Sequence, residues 1–279
     1  MSPAVARGVV GERTIGRPIV PREHGAWAVL YGAFLAGIGV AGRVTLPVIL
    51  LLGVVTCLAF ANGPLVLILR SAGSRAPSTE RGRVFFWLVA YATGAVMCLA
   101  PLLALYHMTF LFPFAMTAAC FLILRAFFVW QGDDRSLPGE LIGTAGLALV
   151  GPTAHAVAVN GAQPIGALLW LLLTLYFAGG VFYVRMRIRL MLARRKGAPT
   201  VSNRARWSCG VYHVFLLVLI PALAAVNVVP WAVLLAFAPA LWRAAAGLRR
   251  QDAALDVRRL GWSEVGLTVA FVLILVVAL

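Results

Sequence analysis

Pro21-Arg22-Glu23-His24-Gly25-Ala26-Trp27 marks the point where a polar, arginine-bearing beginning gives way to a series of long apolar runs. Arg7, Arg13 and Arg17 precede it, and from Gly25 onward charged residues become rare inside the runs. The 279 residues are 62% hydrophobic and 12% charged, against a soluble norm of about 45–50% and 25%. A chain this apolar cannot cover itself with polar surface, so its solvent is a lipid bilayer. Residues 1–24 lack a short apolar core followed by a small-residue cleavage site. They are expected to be a cytoplasmic tail rather than a cleaved signal peptide.

Working outward from Gly25, nine apolar runs can be counted, approximately 25–42, 44–69, 84–105, 108–130, 138–159, 164–184, 208–228, 229–246 and 262–279. Most reach the roughly 20 residues that cross the hydrocarbon as a helix. The expected fold is therefore an all-α polytopic membrane protein, with residues 25–279 as one transmembrane domain and a cytoplasmic loop at about 190–207. Pro64, after Asn62-Gly63, removes a backbone donor inside the second run and predicts a kink, where Asn62 could satisfy a freed group.

Basic residues test the count. The net charge of +15 would suggest nucleic acid in a soluble protein; here the arginines report which side of the membrane each loop faces. With nine spans, all but one of the 24 Lys and Arg residues fall on one side, the exception being Arg43. A missed or invented span would scramble this alternation. The N-terminus is thus expected inside and the C-terminus outside, with no nucleic-acid partner. Arg194–Arg206, basic and containing Gly197, Pro199 and Ser202, is expected to be a cytoplasmic linker.

Cys57, Cys98, Cys120 and Cys209 stand singly, without zinc, haem or redox spacing, and are expected to be packing thiols. No histidine pair has metal spacing either, so no metal and no cofactor are expected. His155, deep in the fifth run, is expected to bond to a neighbour.

Polar groups collect at the inner ends of the runs, where they are tolerated only when paired or facing a cavity. Arg22, Glu23 and His24 form the densest cluster; a Glu–His neighbourhood suits proton transfer, so Glu23 and His24 are the catalytic candidates. Trp27 shares a helical face with Glu23 and is equally explained as an interfacial anchor. Asn62, Arg70, Arg125, Glu140, Tyr183, Arg185, Arg189 and His213 complete the candidate ligand-binding set. Arg125 lies inside a span and needs a partner, for which Glu140 is a candidate. Arg185 and Arg189, four apart on one face, repel unless an anion or a carboxylate lies between them.

Pro21–Trp27, together with Arg135-Ser136-Leu137-Pro138-Gly139-Glu140-Leu141 and Tyr183-Val184-Arg185, resembles the YwiC-like family of bacterial membrane proteins. This resemblance implies a multi-pass protein of the bacterial cytoplasmic membrane and no particular reaction. A weaker resemblance is to the UbiA prenyltransferase superfamily, which implies nine helices and a cavity facing the cytoplasm. That superfamily's Asn-x-x-x-Asp-x-x-x-Asp motif, laid on Asn62, puts Val66 and Arg70 where aspartates belong. Its second acidic motif falls near Arg185 and Arg189. Arginines cannot hold magnesium, so the implied metal–diphosphate chemistry is lost while direct contact with an anionic headgroup is retained.

Three functions follow as expectations. The first is binding, with modification as an option, of an isoprenoid, quinone or anionic lipid in a basic cavity facing the cytoplasm. The second is a carrier for a small anion, and the third a non-catalytic membrane subunit or assembly factor working with a protein partner.

Overall fold

The computed structural model describes residues 18–19, 24–71, 78–133, 136–196, 199–249 and 257–279. Among the described residues there is no strand. The helices are α1 (His24–Ala41), α2 (Leu46–Ser71), α3 (Ser78–Ala104), α4 (Leu111–Trp130), α5 (Leu137–Ala148), α6 (Val150–Val159), α7 (Pro164–Lys196), α8 (Pro199–Ala225), α9 (Val233–Arg249) and α10 (Val257–Ala278).

Helices α5 and α6 form one column, Leu137–Val159, interrupted at Leu149. Pro152 causes the interruption: it has no N–H to offer the Ala148 carbonyl four residues back. Counting that column once, seven helices are long and apolar enough to cross a membrane. α1 is apolar but shorter, with 18 residues, or roughly 27 Å of rise. α9 has 17 residues and carries Arg243 within it. The nine expected runs thus correspond to nine helical columns. Pro64 sits within a continuous α2.

One expectation is corrected. The basic stretch 194–206 was read as a linker because glycine, proline and serine punctuate it. Instead α7 continues to Lys196 and α8 begins at Pro199. Pro199 stands at the first helical position, where a missing N–H costs nothing, and arginine is a good helix former.

Helix α1 organises the packing. It contacts α6, α10, α5 and α7, and its side chains enter two apolar clusters. Ala33 and Ala36 join Leu169, Leu172, Leu173, Phe237 and Phe271 in one, while Leu30 and Phe34 join Val48, Leu51, Leu102 and Val157 in the other. In a bilayer, helices associate through close backbone approach at small residues, and α1 supplies these. A Cβ on Gly37 would strike the Gly151 carbonyl oxygen of α6, and one on Gly151 would lie 3.1 Å from the Ala33 carbonyl oxygen. Gly32 faces Thr268 and Gly39 faces Val276, so α1 and α10 run parallel. In the α2–α3 hairpin, Gly53 receives Cys98 and Gly94 receives Cys57, an antiparallel match. The cysteines are free thiols; Cys57, Cys98 and Cys209 pack within the bundle, whereas Cys120 is exposed, against the expectation of a packing thiol.

Turns at the end opposite the arginine-rich one are short and sharp. His107, Asn160 and Asn227 adopt positive φ in the turns after α3, α6 and α8, a conformation that Asn tolerates better than most residues.

Gly37→Ala is expected to destabilise the detergent-purified protein by about 1–3 kcal/mol, because the facing atom is backbone and cannot move aside. Gly25→Ala, where nothing lies within 4 Å, should leave stability unchanged or raise it. Thermal unfolding of the two variants side by side checks the contrast.

Candidate functional site

The arginine-rich end of the bundle is built around α7. Tyr183 and Arg185 are two residues apart, so they leave the axis about 200° apart and face opposite sides of the helix. Each meets a different charged partnership.

On one side, Arg185 Nη1 donates to Glu140 Oε2 of α5 at 2.9 Å. The start of α5 explains why Glu140 stands there. Ser136 is its N-cap, with Oγ accepting from the Gly139 N–H at 3.3 Å, and Pro138 follows in the first turn. A carboxylate in that first turn also meets the positive end of the helix dipole. One turn further, Gly143 has no side chain, and the Arg125 guanidinium of α4 occupies the space where a Cβ would stand. Glu140 had been a candidate partner for Arg125. The structure gives that carboxylate to Arg185 instead, since the glycine lets Arg125 lie against α5 while Arg185 reaches the exposed edge of its first turn. Arg125 Nε is buried without a hydrogen-bond partner, and among the described residues Arg125 joins no ion pair. A shallow, open crevice of about 10 Å³ between α2 and α4 is lined by Arg125, Asn62, Leu65, Val66, Leu69 and Leu122, among others. Asn62 and Arg125, 63 positions apart, thus share one recess.

On the other side, Arg243 of α9 pairs with Glu264 of α10, and its guanidinium lies 4.2 Å from the centroid of the buried Tyr183 ring. Gly247, one turn after Arg243, makes room for that ring. Gly180 of α7 faces Glu264, whose Oε2 would lie in ordinary contact, 3.5 Å from a Cβ placed there. His213 of α8 is buried nearby, its Nδ1 2.8 Å from the Cys209 carbonyl oxygen. A carbonyl only accepts, so Nδ1 carries the hydrogen and Nε2 keeps a lone pair, which has no partner.

Arg70 ends α2 on the exposed surface. Arg189 lies one turn beyond Arg185 and, among the described residues, joins neither ion pair. Trp27 stacks on Tyr31 with centroids 5.7 Å apart and tilts against Phe60 at 5.1 Å. It is part of an aromatic run that continues to Tyr91. Arg22, Glu23 and the His24 side chain lie outside the described residues, and with them both catalytic candidates. His155 is buried as expected, but its Nδ1 has no hydrogen-bond partner, a correction to the expected neighbour bond. Among the described residues no cluster of His, Cys, Asp or Glu has the makings of a metal site.

The Arg243–Glu264 pair is absent from the expected set. The available signal was that each is an isolated charge at the end of an adjacent apolar run.

Comparison with known proteins follows the same outline. The family described as YwiC-like protein matches residues 20–155. This stretch of the chain is similar to that family. A Bacillus subtilis (strain 168) protein described as uncharacterized protein YwiC is 28% identical over 230 residues, covering 82% of this chain and 85% of that relative. No solved structure matches the chain. The matched stretch contains Asn62, Arg70, Arg125 and Glu140, whereas Tyr183, Arg185, Arg189, His213, Arg243 and Glu264 follow it.

Removing one member of a largely buried pair strands the other. Glu264→Ala is expected to cost about 3–5 kcal/mol, and replacing Arg243 and Glu264 together by methionine should recover most of it. Glu140→Ala should cost less, about 1 kcal/mol, since Glu140 is 37% exposed in its pair. Thermal unfolding in detergent measures all three.

Proposed function

We propose that this protein is a membrane-embedded binder of an anionic amphiphile, an anionic lipid or an isoprenoid phosphate, held at the cytoplasmic end of the bundle. The observation that carries the reading is Arg125. A guanidinium stays ionised in any protein environment, and one placed within a membrane span normally faces a partner or a ligand. Arg125 has its Nε buried and unbonded, its candidate carboxylate is engaged by Arg185, and it borders an open crevice. An anionic headgroup supplies the missing counter-charge. Contact would be direct, through charge-assisted hydrogen bonds. Arg189 and Arg70, at the same end, would draw the headgroup toward the crevice.

This reading includes nine crossings of the bacterial cytoplasmic membrane, N-terminus inside and C-terminus outside. The parallel course of α1 and α10 supports it, because the first and last columns of an odd set run the same way. So does the arginine distribution, in which only Arg43 stands apart.

Native mass spectrometry of the detergent-purified protein, followed by extraction of whatever lipid remains bound, tests the function. A retained anionic amphiphile is expected. A protein that carries no defined lipid would overturn the reading in favour of an anion carrier or a partner subunit. For the topology, alkaline phosphatase fused after Leu279 should be active and a fluorescent protein at the same place dark; the reverse would exclude nine crossings from an inside N-terminus.

A further inference from the structure

We infer that the α2–α4 crevice selects an amphiphile whose headgroup carries one negative charge, a phosphodiester in preference to a diphosphate. The inference rests on the reading just given and narrows it to a substrate class.

Charge is the first argument. Arg125 is the one cationic side chain among the residues that line the crevice; Asn62 is neutral, and Leu65, Val66, Leu69, Leu122, Ala126 and Val129 are apolar. Glu140 offers no second interaction to be relieved, because Arg185 holds it at 2.9 Å. A monoanion therefore brings the recess to neutrality. A diphosphate would leave at least one further negative charge against aliphatic walls, and an uncompensated charge in such a setting is strongly disfavoured. Arg70, two turns along α2 from Asn62, is outside the lining.

Geometry is the second. A guanidinium presents its donors as a planar fork that matches two oxygens on one phosphorus. Its Nη1 side is pressed against Gly143 and its Nε is buried, so the terminal Nη2 is left to donate to the ligand. Asn62 on the facing helix adds an amide that can donate to the same headgroup.

The third argument concerns the source of the anion. α4 is the least covered of the spanning helices, with 6% of its window buried, and Leu122, Ile123 and Phe127 are exposed beside the crevice. The recess thus opens toward acyl chains. A free ion arriving there would shed its water against leucine and valine, whereas an amphiphile covers those walls with its own tail.

The test uses the full chain in detergent, titrated with short-chain phosphatidylglycerol, the matching phosphatidylcholine, farnesyl diphosphate and inorganic phosphate, with binding read by native mass spectrometry and thermal shift. Phosphatidylglycerol should bind saturably and at least tenfold more tightly than phosphatidylcholine. Inorganic phosphate should not compete at millimolar concentration. Arg125→Gln should weaken phosphatidylglycerol binding about tenfold or more, the size of one charge-assisted hydrogen bond, and Arg125→Lys should recover part of it. The ligand series on the unaltered protein decides the matter even if the glutamine variant does not fold. Tighter binding of farnesyl diphosphate would overturn the monoanion class while leaving the amphiphile reading standing. Equal binding of the two phospholipids, or competition by inorganic phosphate, would overturn both.

Discussion

A guanidinium cannot discard its proton, so an arginine that enters a membrane span must bring its counter-charge, its ligand or its route to water with it. The arginine-rich end of this bundle is arranged around that constraint. Arg185 and Arg243 each take a carboxylate from a different helix, Glu140 on α5 and Glu264 on α10, and the two pairs are held apart by α7. Arg125 takes none and borders the crevice instead. The three arginines illustrate two solutions to one electrostatic problem, and the exception is the one that points to function.

Small residues make these solutions possible. Gly143 lets Arg125 lie against α5 and Gly247 admits Tyr183, over which Arg243 sits. The same device at Gly32, Gly37 and Gly39 brings α1 against its neighbours. Between apolar helices in lipid there is no hydrophobic force to expel solvent, so close backbone contact and paired charges carry the association. Packing and polar chemistry therefore depend on the same device, a glycine where two helices meet.

Much of the architecture was legible in advance because bilayer physics writes itself into composition and period. A run of about twenty apolar residues has few alternatives to a helix when no water can satisfy its backbone. Where reading failed, local signals had been misleading. Gly197, Pro199 and Ser202 suggested a linker, yet proline is tolerated at the start of α8, which begins there. Asn62, Arg125, Glu140, Arg185 and His213 stand out in the sequence as polar groups at span ends, with Glu140 a candidate partner for Arg125 and Arg185 set beside Arg189. The structure joins Asn62 with Arg125 in the crevice and Glu140 with Arg185 across α5 and α7, while Trp27 belongs to an aromatic stack.

By itself the sequence determined the all-helical class, the positions of the columns and the gathering of arginines at one end. These follow from hydropathy and the 1.5 Å rise of a helix, which act along the chain. Partner choice was decided by tertiary structure alone. Glu140 stands 15 residues from Arg125 and 45 from Arg185 in the chain, yet it bonds to Arg185, because direction around a helix axis, and the presence of Gly143 in place of a side chain, determine which charge it meets. The vacant donor of Arg125 arises from that choice, and no linear pattern encodes it.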